Sequence, residues 1–298
     1  FRSRAFALLP VRAYHSFPRG KKASESGMKP ARFVHFSPTS LAEALSLLAE
    51  HAPEARVIAG GQSLVPVMNF LNRIPDLAYI RDDGAALAIG AMTRQRTIEN
   101  SALVRSAVPL LHQATLNIGH LPIRSRGTIG GSIANADPAA EYPATVLALD
   151  CELVVQKQGG TRRIAAPDFF EGVLSTAIEP DEILTEIVVP KTPAHSGSAF
   201  VEIARRKGDF ALAGVAAQVT LSGEAATSVK LAACGVGPGP VRLSGAEAVI
   251  LADGLSDAAL KAGARAAASV SPAPQCATPS ASSPAIVSAM PSAPQSAM

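Results

Sequence analysis

The sequence predicts an α+β protein of two successive domains, and three observations carry that prediction. Up to Pro193, helix-like and strand-like stretches alternate, and two Gly-Gly-polar segments, at Gly60-Gly61 and Gly130-Gly131, punctuate them. Beyond Pro193, two long strand-like runs precede two helix-like ones, the order of an α+β module rather than of a parallel α/β sheet. The 298 residues are 48% apolar and only 17% charged, so the chain is long and apolar enough to bury two cores.

Composition excludes several classes of function. The net charge is +3, but Arg2, Arg4, Arg12, Arg19, Lys21 and Lys22 precede the first acid, Glu25. The remainder is close to neutral, which argues against a nucleic-acid footprint. There is no Trp, so stacking platforms for bases are not expected. Cys151, Cys234 and Cys276 stand far apart without any C-x-x-C, so neither a zinc knuckle nor an iron–sulfur cluster is encoded, and no metal ligand is assigned. An unpaired, scattered set of thiols fits a reducing compartment, hence a cytoplasmic location. The six His are scattered too and read as surface or packing residues, and no apolar run approaches the length of a membrane span.

Along the chain, residues 1–27 are an acid-poor basic leader, either a mitochondrial presequence or a reading frame extended upstream of Met28. Ser40 and Glu43 have capping-box spacing and open a helix whose apolar face is Leu41, Ala44, Leu45 and Leu48; Pro53 ends it. Val57-Ile58-Ala59 reads as a short buried strand leading into the first glycine segment. No G-x-G-x-x-G follows, so this is not a Rossmann fingerprint. Ala86 to Ala91 reads as a strand, and Leu111, Ala114 and Ile118 place one face of the next helix against the core. His120 to Arg126 is a basic connector into the second glycine segment. Leu153-Val154-Val155 and Ile183 to Val189 read as strands, with Asp168-Phe169-Phe170 in a loop between them. In the second domain, Ala211 to Leu221 and Val229 to Val236 read as strands, Gly235, Gly237 and Gly239 as a turn, and Ala246 to Leu251 and Asp257 to Ala268 as helices. From about Ser271 the Ala/Ser/Pro-rich text cannot bury a core and is expected to be disordered, either as a natural low-complexity tail or as the product of a frameshift.

The two glycine segments are where chemistry is expected. Adjacent glycines permit positive φ and close approach of a ligand to the backbone. Successive N–H groups in such a turn form a concave anion-binding nest. Two such segments make a cradle for one diphosphate, although a Gly-Gly pair taken alone is more often a plain turn.

Three stretches, residues 59–66 (AGGQSLVP), 118–142 (IGHLPIRSRGTIGGSIANADPAAEY) and 198–217 (SAFVEIARRKGDFALAGVAA), resemble the flavin-binding medium subunits of the xanthine dehydrogenase and carbon monoxide dehydrogenase family. The resemblance runs from about Met28 to about Pro272. It implies a PCMH-type FAD-binding domain of two α/β subdomains over residues 28–193. A small C-terminal domain of antiparallel sheet and helices follows over residues 194–270, between the leader and a tail at residues 271–298.

By resemblance FAD is held by Ala59, Gly60, Gly61, Gln62, Ser63 and Leu64 of the first segment and by Thr128, Ile129, Gly130, Gly131 and Ser132 of the second. Ile118 and Leu184 match positions that pack on the flavin, and both read equally well as plain core residues. Glu141 matches the acid that accepts from ribose hydroxyls, with Asp137 as its rival, though an Asp before Pro138 is also an ordinary turn residue. Arg205, Arg206 and Lys207 match a basic run near the flavin ring and read equally well as a solvated β-edge. The sequence departs from the family after Phe70, where about ten residues and one strand of the first subdomain are missing or shortened, and near Val201, where a Lys is usual.

No Ser–His–Asp order, paired catalytic carboxylates or activated Cys stands out, so no catalytic residue is assigned; the flavin carries the redox chemistry. The resemblance implies one subunit of a molybdenum-dependent hydroxylase or dehydrogenase, passing electrons through FAD to an external acceptor. It implies as partners a large molybdenum-cofactor subunit and a small subunit with two 2Fe–2S clusters, assembled as a dimer of heterotrimers. A stand-alone PCMH-type flavin oxidoreductase and a non-functional remnant are the alternatives.

Overall fold

The structure, a computed structural model, describes Phe36, residues 38–52, Val57 and residues 75–269. The leader, the first glycine segment, the strand expected at Val57 to Ala59 (apart from Val57 itself), the shortened stretch after Phe70 and the tail from Ser271 lie outside the described residues.

Helix α1 (Leu41–His51) begins as its sequence dictates. Ser40 Oγ accepts from the Glu43 N–H at 3.2 Å, and the Glu43 carboxylate accepts in return from the Thr39 N–H at 2.9 Å. Ala44, Leu45 and Leu48 are buried against Leu77 and Ile183, whereas Leu41 only borders that cluster. The helix stops at Ala52, which is extended (φ −65°, ψ 146°), the conformation that a following proline imposes.

Strands β1 (Ile80–Asp82) and β2 (Ala86–Gly90) are followed by a run of helices: α2 (Gln95–Asn100), α3 (Ala102–Ala107), α4 (Pro109–Asn117), α5 (Leu121–Arg124), α6 (Ile129–Asn135) and α7 (Glu141–Ala148). Then come β3 (Glu152–Lys157), β4 (Gly160–Ala165), α8 (Ala166–Phe169), β5 (Phe170–Gly172), β6 (Ser175–Thr176) and β7 (Ile183–Pro190). The first sheet has the order β1-β2-β7-β3-β4 and every pairing is antiparallel. Ile89 pairs with Ile187, Ile187 with Leu153, and Leu87 with Val189, so these fully buried side chains share one face. That face packs on Ile98, Leu110, Leu111, Ile129, Ile133 and Tyr142 from the helices.

The second sheet is β8 (Ser196–Ala204), β9 (Ala211–Ser222), β10 (Ala225–Cys234) and β11 (Val241–Arg242), in the order β11-β10-β9-β8. Helices α9 (Ser244–Asp253) and α10 (Asp257–Ala268) follow. Phe200 pairs with Ala216 and Ala216 with Ala232; these three join the same buried cluster as the first sheet. The opposite face carries Val215, Leu231 and Ala233 beneath Ala246, Ala266 and Ala267. The antiparallel sheet followed by helices is the α+β arrangement expected. Near residue 193 the chain changes sheet, but the packing is continuous there.

Four stretches of regular structure depart from the sequence-based expectation: Asp168-Phe169-Phe170, expected in a loop, ends helix α8 and begins strand β5, and three more follow. Residues 120–126, expected as a connector, contain the single turn α5; α7, expected only as sequence after the glycine segment, is a helix buried along its whole length; and β8 precedes the first strand expected in the second domain.

Candidate flavin site

The second glycine segment is a helix start, which corrects the expected left-handed loop. Thr128 is the N-cap of α6, its Oγ1 accepting from the Gly131 N–H at 3.1 Å, and Gly130 and Gly131 are both helical. The requirement for glycine at 130 is steric: a Cβ there would stand 2.4 Å from Ala91 Cβ and 2.7 Å from the Ala91 carbonyl oxygen. The N–H of Ile129 donates to Thr93 O at 3.1 Å, that of Gly130 to Ala91 O at 2.9 Å and that of Ser132 to Thr128 O at 3.1 Å. These four N–H groups therefore have acceptors within the chain, and the anticipated open nest is not formed by them. The Ser132 side chain is half-buried.

Helix α6 ends on Ala136 in the left-handed conformation (φ 48°, ψ 42°). Asp137 then accepts from the Ala139 N–H at 2.9 Å, the turn-forming role weighed against its candidacy as a ligand. The carbonyl of Pro138 accepts from the Gly235 N–H at 2.7 Å, tying the turn after β10 to the α6–α7 connection. Gly235 has φ +77°, and a Cβ would lie 2.7 Å from the Leu212 carbonyl oxygen, so this member of the Gly235/237/239 turn has to be glycine.

Glu141 opens α7 and is only 8% exposed. Burial pushes its carboxyl up to about 7, opposed by its own backbone N–H and reinforced by Glu202 and Asp137. Glu202, on β8, has an Oε2 that is fully buried with no hydrogen-bond partner among the described residues, and burial raises its carboxyl as well. Cys234 lies in the same seam; burial, then Glu141 and Glu202, push its thiol up to about 12. Gly214 makes room for this cluster, since a Cβ there would meet Cys234 Sγ at 2.8 Å and Glu202 Cβ at 3.3 Å.

Ile118 and Leu184 are each 6% exposed and belong to the main core, the role that competed with flavin packing. Arg205, Arg206 and Lys207 are exposed at the tip of the β8–β9 hairpin. That tip rests on the α4–α5 connector: Gly208 (φ +87°) would, with a Cβ, collide with the His120 ring at 2.4 Å. Two residues of the site region were not singled out from the sequence. Arg124 donates to the carbonyls of Ile118 (2.8 Å) and Gly119 (3.0 Å) and pairs with Glu99 at 2.9 Å, so it closes the end of α4 and fixes the approach to α6. Its only signal in the sequence is its place within the long motif. Glu202 could have been found as an acid two residues after Phe200 on the same side of a strand-like alternation.

A flavin dinucleotide brings an anionic diphosphate, hydroxyl-rich sugar units and an apolar ring. The orphaned Glu202 oxygen and the buried Glu141 carboxylate fit its hydroxyl donors. The α6 N–H groups do not stand free for its phosphates.

The antiparallel α+β fold brings the capped glycine helix and two buried acids together, and comparison with known proteins gives the class. Residues 31–192 match the family model described as the FAD binding domain in molybdopterin dehydrogenase. Residues 198–282 match the CO dehydrogenase flavoprotein C-terminal domain, further than the resemblance reached from the sequence. The chain is 38% identical over 231 residues to caffeine dehydrogenase subunit beta of Pseudomonas sp. (strain CBB1), covering 74% of this chain and 78% of that one. It is 34% identical over 253 residues to the carbon monoxide dehydrogenase medium chain of Hydrogenophaga pseudoflava, covering 82% and 88%. Among solved structures, carbon monoxide dehydrogenase from H. pseudoflava superposes with a TM-score of 0.75 at 35% identity, over 78% of this chain and 85% of that one. Quinoline 2-oxidoreductase from Pseudomonas putida 86 gives 0.71 at 30% identity, over 78% and 84%. The chain belongs to the FAD-binding medium subunits of the carbon monoxide dehydrogenase and xanthine dehydrogenase family of molybdenum hydroxylases. It is thus an oxidoreductase subunit, and its own cofactor is FAD. No helix among the described residues is long and apolar enough to cross a membrane.

Proposed function

We propose that this chain is the electron-exit subunit of a cytoplasmic molybdenum hydroxylase. A small partner with 2Fe–2S clusters delivers electrons taken from substrate at a large molybdenum-cofactor partner, and FAD on this chain passes them to an external acceptor. The observation that carries the reading is the tandem match of both family modules, residues 31–192 and 198–282. When bound, the flavin supplies the two-electron to one-electron exchange such a chain requires. This chain's residues bind and orient it: the first glycine segment and the Ser132 hydroxyl, by their match to the family motif, serve the diphosphate, and Glu141 accepts from sugar hydroxyls.

An exposed apolar surface favours a subunit over a stand-alone enzyme. Val201 (66% exposed), Ile203 (67%), Phe210 (69%) and Leu212 (54%) cluster on the β8–β9 hairpin. The tip of this hairpin touches the connector that carries exposed Leu121 and Ile123. Contiguous apolar surface of this kind marks an interface. Chains assembled on such faces would form the dimer of heterotrimers typical of the family.

The test is affinity purification of the tagged chain from its own source. The expected result is copurification with two further polypeptides, one binding molybdenum and one with iron–sulfur absorbance, and reduction of the flavin by the complex's substrate. A chain that isolates alone and oxidises a substrate by itself would establish the stand-alone enzyme instead.

A further inference from the structure

The reading of this chain as an FAD subunit leaves one group unexplained: Glu202, an acid on an inward strand position of the C-terminal sheet. Among the described residues its Oε2 is fully buried and accepts from no donor. Among the described residues, the groups acting electrostatically on the neighbouring Glu141 are Glu202 and Asp137, both acidic. Cys234 of β10 feels both Glu141 and Glu202, so the two carboxylates converge on one seam between α7 and the second sheet. The other charged groups packed around α7 are committed elsewhere. Lys230 and Arg242 bond Asp150 beyond the opposite end of the helix, and the Tyr142 hydroxyl is held by Thr115.

Two carboxylates brought together without a cation are unfavourable unless something donates to them. Glu141, more than nine-tenths buried, has only its own backbone N–H. A hydroxyl-rich ligand is the complementary chemistry, since each ionised carboxylate accepts a strong charge-assisted hydrogen bond. A protein cation would quench the pair permanently, whereas neighbouring hydroxyls satisfy it only when bound.

We propose that Glu202 is a second cofactor-binding carboxylate, which together with Glu141 clamps a vicinal diol of FAD across the seam between the FAD-binding domain and the C-terminal sheet. The proposal rests on the reading of the chain as an FAD subunit and adds a residue from the C-terminal domain to the site. Gly214 serves this clamp by leaving space beside Glu202 Cβ and Cys234 Sγ. Because the ligand's hydroxyls stabilise the ionised pair, FAD binding releases protons below neutral pH, and affinity rises as pH rises toward 7.

The full-length chain stripped of flavin is titrated with FAD, followed by quenching of flavin fluorescence. Glu202→Ala weakens FAD at least tenfold at pH 8, with near-UV circular dichroism unchanged. Glu202→Gln removes one negative neighbour from Glu141, so the pH below which affinity falls moves downward. FMN and ADP identify which diol is held. Weakening that is shared with FMN assigns the ribityl chain, and weakening that is shared with ADP assigns the ribose. Wild-type FAD affinity in Glu202→Ala, an unmoved pH midpoint in Glu202→Gln, or weakening confined to FAD with FMN and ADP unaffected would each overturn the clamp. A wild-type chain that takes up no FAD would instead overturn the reading on which the clamp depends, and the clamp with it.

Discussion

At the scale of single residues, Glu141 and Gly130 show how burial and sterics set the site. Burial pushes the Glu141 carboxyl up to about 7 from its ordinary 4.5, so folding disfavours its charged form. Below about pH 4.5 the group is protonated in both states and costs nothing. As pH rises from there to about 7 the flavin-free protein loses stability, and above 7 the loss is constant, at about 3 kcal/mol for a shift of this size. Denaturant unfolding of the flavin-free protein at pH 5 and pH 8 should therefore show a decline that Glu141→Gln removes; an equal decline in the variant would place the titration elsewhere. Gly130→Ala sets helix propensity against overpacking. Alanine gains about 1 kcal/mol in a helix, but its Cβ would meet Ala91 at 2.4 Å, including backbone that cannot rotate away. Overpacking of about 1–3 kcal/mol should win, and thermal unfolding should show a net loss. The sequence singled out both residues. It misassigned the reason at 130, because a Gly-Gly pair looks the same whether φ is positive or a neighbour presses close.

At the scale of elements, the best-read pieces were those whose ends carry chemistry. Ser40 and Glu43 cap α1 as their spacing requires, and Leu111, Ala114 and Ile118 form the buried side of α4 and its end. Helix α7 left no such trace, because EYPATVLA is buried on every side and so has no amphipathic period. Strand β8 was obscured by its Gly-Ser-Ala start and by an exposed face that is itself apolar. The α4–α5–α6 run depends on Arg124, whose side chain and that of Glu99 are only 13% and 10% exposed. Arg124→Met would leave Glu99 to the more exposed Arg96 and strip donors from two carbonyls. A loss of about 3 kcal/mol follows, and Arg124→Lys, lacking the planar fork, should recover only part of it. Wild-type stability in Arg124→Met would show the fork to be dispensable.

At the scale of the molecule, the two sheets share a core, and the contacts that tie them include Gly235 on Pro138, Gly208 against His120, and Arg242 on Leu147 O and Asp150. Gly208→Val should push the hairpin tip off His120 and speed amide exchange at residues 118–127 and 204–211, leaving the first sheet protected; uniform protection would mean that the tip closes some other way. Such long-range contacts were invisible in the sequence, since nothing local ties residue 208 to residue 120. The long motif nonetheless carried the family, because residues 118–142 contain both the capped glycine helix and the buried acid. The chain's cofactor is FAD, and neither glycine segment holds a His or Cys that could bond a flavin, so the flavin is expected to be held without a covalent bond. The most direct measurement is the visible spectrum and flavin content of the purified full-length chain before and after acid precipitation. The expected result is one FAD per chain, released completely into the supernatant. A colourless protein that takes up no added FAD, or yellow colour retained in the pellet, would contradict it.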